Sequence, residues 1–405
     1  MAPRPRAVLL VIDGLGVGAM PDGDEADRGS HTLRSVQEHA GPLRLPNLLA
    51  LGLGDVAGVA GLEPCGARSG GGRGRLELRH PGADTYMGHQ ELMGARMGEM
   101  RLRLMADLAG DVRGALRVAG HRTAALEDGL SPLLVDGCVV VADAIEARPG
   151  LNLNVTGSLD DRPFEELEAI GQVVRDAVDS ARIVVVSGPG FGLEDMRANL
   201  RVLPSGQVGV DCAALGVYDE HYRVRHLGRE VDVAGQLPAR ARGAGHAVAL
   251  IGKAADVIAC ADADADPVVR TDAVLERLHA TLADDGPSLI VANVQETDLA
   301  GHEQDAAKYG EVLERVDAFL PRLLGELRPG DRLLICGDHG NDPAIGHGQH
   351  TRERTPILVA GPDLAPAELG TRSSLADVGA TMAEILGVGP LASGSSFEQA
   401  LQRVP

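Results

Sequence analysis

Seven side chains stand out for the chemistry they could do together. Asp13, Asp298, His302, Asp338, His339 and His350 are metal-ligating types, and Thr85 offers a hydroxyl. Asp338, His339 and His350 share one stretch, GDHGNDPAIGHGQHTRERTP (337–356), which glycine and proline break up. Carboxylate oxygen and imidazole nitrogen together suit Mn²⁺ or Zn²⁺. Six ligands are enough for two ions, and ions about 4 Å apart can clamp a phosphoryl group and activate a nucleophile. A threonine hydroxyl is a weak nucleophile until a metal or base activates it. Thr85, in GADTYMGHQELMG (82–94), is the candidate.

Such residues work only if the fold gathers them. The continuous apolar run at 7–12 reads as a strand covered on both faces, and 288–294, 331–337, 355–361 and the segment GHAVALIGK read as further strands. Asp13 follows the first run, Asp298 and His302 the second, and Asp338 and His339 the third. His350 precedes the fourth. In open α/β sheets ligands bind at the carboxyl edge of the strands, so three segments deliver Asp and His to one edge. Helical patterns alternate with these strands. In EQDAAKYGEVLERVDAFLPRLLGEL, Tyr309, Leu313, Val316, Leu320 and Leu323 form one stripe, and Pro321 is expected to distort the helix. LPNLLALGL suggests a short helix, and RSGGGRGRLELRHPG a short strand and loop.

The middle of the chain carries a series of its own. A helix ending at Gly120 is followed by strands at 137–145 and 181–188, with a helix over 162–178 between them. The expectation is an α/β fold with a doubly wound, mostly parallel sheet core and an inserted small α/β cap domain. The core would be built from two stretches, 1–100 and 223–405, with the insertion at 101–222 between them.

Other signals exclude functions. Net charge is −20, which argues against nucleic acid or an anionic membrane as partner, although bound metal ions can reverse the local potential. Apolar residues reach 44% with 2% aromatics and no Trp, so aliphatic side chains must fill the core. Cysteines at 65, 138, 212, 260 and 336 form no C-x-x-C pair and read as reduced thiols. The apolar run after MAPRPR stops at Asp13, too short for a secretory signal, and nothing approaches a membrane span. A soluble cytoplasmic protein is expected. GLGVGAMPDG and SGPGFG miss the dinucleotide-binding pattern. DADAD (262–266) lacks the Gly and Glu of an EF-hand and reads as a solvated acidic loop. His31 and His347 read as structural, and Asp342 as a turn residue.

The motifs VIDGLGVGAMPD, LPNLLALGLG, DTYMGHQELMG, GDHGNDP and HTRERTP together resemble the phosphopentomutase family of the alkaline phosphatase superfamily, over nearly the full length. The resemblance implies that Asp13, Asp338, His339 and the Thr85 oxygen hold one ion, and Asp298, His302 and His350 the other. Mn²⁺ is the first expectation, with Zn²⁺ or Mg²⁺ as alternatives. It implies that Thr85 carries the transferable phosphate, that a sugar bisphosphate can prime it, and that the insertion is a mobile cap. Lys253, in IGKAAD, would contact substrate phosphate, and with the cap would supply the non-reacting phosphate site. Arg197 and Arg201, in EDMRANLRV, are further substrate-binding candidates, because guanidinium holds phosphate oxygens bidentately.

The sequence departs from that family in places. The Asp298–His302 spacing is that of the related cofactor-independent phosphoglycerate mutases, and Met87 stands where a second threonine is usual. ADAIEARPGLNLNVTG replaces a Ser-x-Asp segment. The leading expectation is a metal-dependent phosphomutase interconverting (deoxy)ribose 1-phosphate and 5-phosphate. The alternatives are a metal-dependent phosphatase or phosphodiesterase, a mutase paralog with another substrate, and a non-catalytic metal-stabilised binding protein. The partner is a small phosphorylated sugar.

Overall fold

The computed structural model describes residues 4–63, 69–96, 98, 100–217, 221–229, 231–284 and 286–401. They fall into two compact units, one formed by 1–98 with 231–405 and the other by 99–230.

The larger unit begins with β1 (Ala7–Ile12), α1 (Thr32–Ala40), α2 (Pro46–Leu51), α3 (Leu53–Ala57), β2 (Gly71–Leu76) and α4 (Thr85–Leu92). The smaller unit follows with α5 (Met105–Val118), β3 (Thr123–Ala125), β4 (Leu133–Val135), β5 (Val139–Asp143), β6 (Asn152–Ser158), α6 (Phe164–Ala177), β7 (Arg182–Gly188), α7 (Leu193–Ala198), β8 (Leu200–Val202), β9 (Val208–Val210) and β10 (Arg223–Gly228). The larger unit resumes with α8 (Leu237–Gly243), β11 (Val248–Gly252), α9 (Lys253–Val257), β12 (Asp264–Asp266), α10 (Thr271–Ala283), β13 (Leu289–Val294) and α11 (Glu296–His302). It ends with α12 (Ala306–Gly325), β14 (Arg332–Cys336), β15 (Thr355–Ala360), β16 (Ala367–Arg372) and α13 (Ala376–Leu386).

The eight-stranded sheet of the larger unit has the order β12-β11-β13-β1-β14-β15-β2-β16. Only β15 runs against the rest. The expected doubly wound, mostly parallel sheet is therefore present, and its reason is visible in β1. Val8, Leu10 and Ile12 enter one core layer, while Ala7, Leu9 and Val11 enter the layer on the opposite face. Successive strand side chains point to opposite faces, so a strand covered by helices on both sides must be apolar throughout. One layer is filled by α1, α2, α3, α10 and α12, and the other by α8, α9 and α13.

The sheet of the smaller unit has the order β10-β7-β6-β5-β4-β3. Here the structure corrects the sequence reading, which joins 137–145 to 181–188 through the helix. β5 instead pairs antiparallel with β6, and β6-α6-β7 makes the parallel crossover. β6 lacks an apolar signature because NLNVTGS places Asn152, Asn154, Thr156 and Ser158 among its buried residues. The second core stretch also starts later than residue 223. β10 pairs with β7, so residues 223–228 lie in the smaller unit. DADAD is likewise not wholly loop. Asp264–Asp266 pairs parallel with β11 as an edge strand, where exposed charge discourages pairing with other chains.

The α12 stripe is as expected: Tyr309, Leu313, Val316, Leu320 and Leu323 are fully buried. Pro321 lies inside the helix, which runs on to Gly325. A proline cannot donate to the carbonyl four residues earlier, here that of Asp317. Asn47 Nδ2 supplies the missing donor, 2.9 Å from the Asp317 carbonyl oxygen. The Asp317 carboxylate in turn accepts from the Asn47 and Leu48 main-chain N–H groups at the start of α2. N47A should cost about 1–3 kcal/mol of unfolding free energy. In a P321A background the cost should shrink, because an alanine N–H can take that carbonyl. Chemical denaturation of the four proteins checks both statements.

Candidate functional site

The sheet order sets the order of the site. Four adjacent parallel strands, β11, β13, β1 and β14, end side by side. Lys253 follows β11, and α11 after β13 carries Asp298 and His302 one turn apart. Asp13 follows β1, and Asp338 and His339 follow β14. His350 comes from the loop entering β15. Thr85 is the first residue of α4, whose start is capped by Asp84 Oδ1 accepting from Met87 N at 3.0 Å.

These side chains converge. Thr85 Oγ1 lies 2.8 Å from His339 Nε2, 3.4 Å from Asp13 Oδ1 and 3.3 Å from Lys253 Nζ. Lys253 Nζ also lies 3.1 Å from Asp13 Oδ2 and 3.2 Å from Asp298 Oδ2. The ammonium thus sits beside the threonine oxygen. His302 Nε2 is 3.4 Å from Asp298 Oδ2, and His350 Nε2 is 3.3 Å from Asp298 Oδ1. Two overlapping clusters result, Asp13–Asp338–His339 and Asp298–His339–His350, with His339 common to both. All five of these residues are buried.

Each imidazole is turned by its other nitrogen. Nδ1 meets a main-chain carbonyl in all three: Gly348 for His302 at 2.6 Å, Ala83 for His350 at 3.1 Å and Gly340 for His339 at 3.1 Å. An Nδ1–H donated to a carbonyl leaves Nε2 as a lone pair facing the site, the usual arrangement for a ligating histidine. The Nε2 atoms of His302 and His350 are only 3.1 Å apart, which two lone pairs tolerate only around a shared cation or proton. Asp338 Oδ2 is buried without a hydrogen bond.

The electrostatics agree. Burial and the neighbouring Asp338 push the Asp13 carboxyl up to about 6. Burial also opposes ionisation of Asp298, but Lys253, His302 and His350 outweigh it and hold Asp298 well below the usual range. Burial and then His339 bring His350 down to about 4, keeping it neutral. Partial burial works against the Lys253 ammonium, whose side chain is 12% exposed, yet Asp13, Asp298 and Asp338 keep it charged. Three carboxylates against one ammonium leave a negative pocket with oxygen and nitrogen donors, and this donor set fits divalent cations.

The sequence pattern of the metalloenzyme superfamily matches residues 5–390. Phosphopentomutase from Symbiobacterium thermophilum is 32% identical, with 100% of both chains covered. That from Methylorubrum extorquens is 33% identical, covering 97% of this chain and 100% of its own. The chain belongs to this superfamily, as a phosphopentomutase-like member. A crystal structure of Leishmania mexicana phosphoglycerate mutase at low cobalt concentration superposes with a TM-score of 0.51 at 15% identity, covering 97% of each chain. That likeness extends to the fold. No described helix is long and apolar enough to cross a membrane.

The remaining candidates have other partners. His31 Nε2 meets the Ala57 carbonyl, and His347 Nδ1 accepts from Gln349 N. Asp342 accepts from Ala344 N as a turn residue does, and also from His31 N and Ser35 Oγ of α1. Arg197 and Arg201 belong to the smaller unit, where Arg197 pairs with Glu127 and Glu194 and Arg201 with Asp211. Cys138, Cys212, Cys260 and Cys336 are free thiols, and Cys65 lies outside the described residues.

The sequence reading misses residues that contact the cluster without entering it. Asn293 donates to Asp13 Oδ2 at 3.1 Å, and His89 Nδ1 lies 3.3 Å from Asp338 Oδ2. Thr297 Oγ1 donates to the Asp13 carbonyl at 2.7 Å. Asn293 could have been noticed as a lone amide in the apolar run LIVANV, whereas Thr297 and His89 leave no such signal.

Chelator-treated protein should rebind two equivalents of Mn²⁺ or Zn²⁺ and melt at higher temperature when loaded. H339A should lose at least one equivalent, because His339 is shared between the clusters. Equilibrium dialysis with metal analysis, paired with thermal melts, measures both.

Proposed function

We propose that this protein is a phosphomutase acting through a phosphothreonine at Thr85, with (deoxy)ribose 1-phosphate and 5-phosphate as the substrate pair. The observation that carries the reading is the environment of Thr85 Oγ1, a buried hydroxyl with His339 Nε2, Lys253 Nζ and Asp13 Oδ1 within 3.4 Å. The activity named for the curated relatives supports the choice of substrate.

Asp13, Asp338, His339 and the Thr85 oxygen would hold one divalent ion, and Asp298, His302 and His350 the other, Mn²⁺ being the first candidate. When bound, such ions stabilise charge on the transferring phosphoryl group and favour the threonine alkoxide. The phosphoryl group passes from Thr85 Oγ1 to the free hydroxyl of the sugar phosphate. Thr85 Oγ1 then accepts the other phosphate from the bisphosphate so formed. The Lys253 ammonium, beside that oxygen, neutralises the group in transit. In this reading the smaller unit acts as the cap, because a phosphothreonine persists only where water is kept from it.

After priming with a sugar bisphosphate, peptide mass analysis should find phosphate on Thr85. T85A should bind metal, take up no phosphate and lose isomerisation, while T85S, which keeps the oxygen, should retain some of it. K253M should lower kcat about 10²–10³-fold, the scale for losing a donor that stabilises transition-state charge. R197A and R201A should raise KM at constant kcat if those arginines hold the other phosphate. Steady release of inorganic phosphate without isomerisation would make the protein a phosphatase instead.

A further inference from the structure

The three segments that deliver the candidate ligands meet at one side chain that is not itself a candidate ligand. Asn341 is fully buried. Its main-chain N–H donates to the Gly14 carbonyl at 2.9 Å and lies 3.1 Å from Thr32 Oγ1. Its side-chain amide Nδ2 lies 2.9 Å from Asp298 Oδ1 and 3.1 Å from the Asp298 carbonyl oxygen. The orientation of the amide is fixed chemically. Both Asp298 atoms are acceptors, so only the NH₂ end can face them.

The slot around Asn341 is built from glycine. A Cβ on Gly301, next to His302, would fall 2.4 Å from Asn341 Cγ. A Cβ on Gly14, next to Asp13, would fall 3.0 Å from Asn341 Cβ, and Gly14 has φ +76°. The amide therefore lies between the residues that follow one ligand and precede another, on a segment that itself carries Asp338 and His339. Its contact with Asp298 leaves the rest of that carboxylate to the site. Oδ1 accepts from the amide and also lies 3.3 Å from His350 Nε2, while Oδ2 faces Lys253 and His302. A carboxylate without such a donor is free to turn about its last torsion, and partners of this kind commonly set metal affinity.

We infer that Asn341 is a positioning residue which, by donating its amide to Asp298, sets the affinity of the ion site formed by Asp298, His302 and His350. The inference rests on the two-ion reading above. It assigns Asn341 no contact with substrate.

Three proteins test it: the wild type, N341D and N341S. N341D keeps the volume of the side chain but replaces the donor with an acceptor facing Asp298. N341S removes the amide and leaves the main-chain bonds intact. Mn²⁺ binding is followed by electron paramagnetic resonance, with cooperative melting as the check on folding. The wild type should bind two equivalents. Both variants should bind one ion with wild-type affinity and the other about 10–100-fold more weakly. If Asn341 only fills its slot, N341D will bind both ions as the wild type does, which overturns the inference. Equal weakening of both ions, or loss of folding in both variants, overturns it as well, since either marks a general structural requirement. A wild type that binds fewer than two ions overturns the two-ion reading and this inference with it.

Discussion

Asp13, Asp298 and Asp338 are three buried carboxylates at the ends of three adjacent strands, and their mutual repulsion governs the rest of the site. Buried like charges cannot all stay ionised without compensation. One positive charge comes from Lys253, at the end of the next strand, and the remainder calls for cations. The three histidines satisfy the same requirement from the other side. Main-chain carbonyls take their Nδ1 atoms, so that each ring turns its Nε2 towards the carboxylates. The placement of Thr85 follows as well, since a hydroxyl beside this cluster experiences whatever positive charge the cluster collects.

Much of this was legible in the sequence. Short runs such as AVLLVI and LIVANV, bounded by polar residues and alternating with helical patterns, read as buried strands, and Asp or His soon after them falls at one edge of the sheet. The α12 stripe was plain because its apolar spacing repeats over several turns. What escaped the sequence was structure stabilised by polar groups. β6 buries Asn, Thr and Ser, and so lacks the apolar mark of an interior strand. Pro321 reads as a distortion of its helix, and nothing local announces that Asn47, far away in the chain, supplies the donor that proline lacks.

The site was legible to the same depth. Ligating residue types announce themselves, but the residues that orient them do not. Asn293, Thr297 and Asn341 are ordinary amides and hydroxyls whose roles depend on partners far off in sequence. Lys253 was expected near phosphate, and its actual place, within reach of Thr85 and two carboxylates, became apparent only once β11 and β13 were seen to be neighbours. The fourth-strand cation and the glycine-lined slot around Asn341 are both products of sheet order, which local sequence does not encode.

The strand order also has a consequence for how the chain is made. β1 occupies the middle of the sheet, yet its partners are residues 289–294 and 332–336. At about 5–20 residues per second, a nascent chain waits roughly 15–60 s between releasing β1 and releasing its first neighbour. During that interval a six-residue aliphatic strand has no mate, which is the profile of a segment prone to self-association. The smaller unit is contiguous in the chain and can complete itself meanwhile. The segment that ends in Asp13 therefore waits through most of the chain's synthesis for its neighbours.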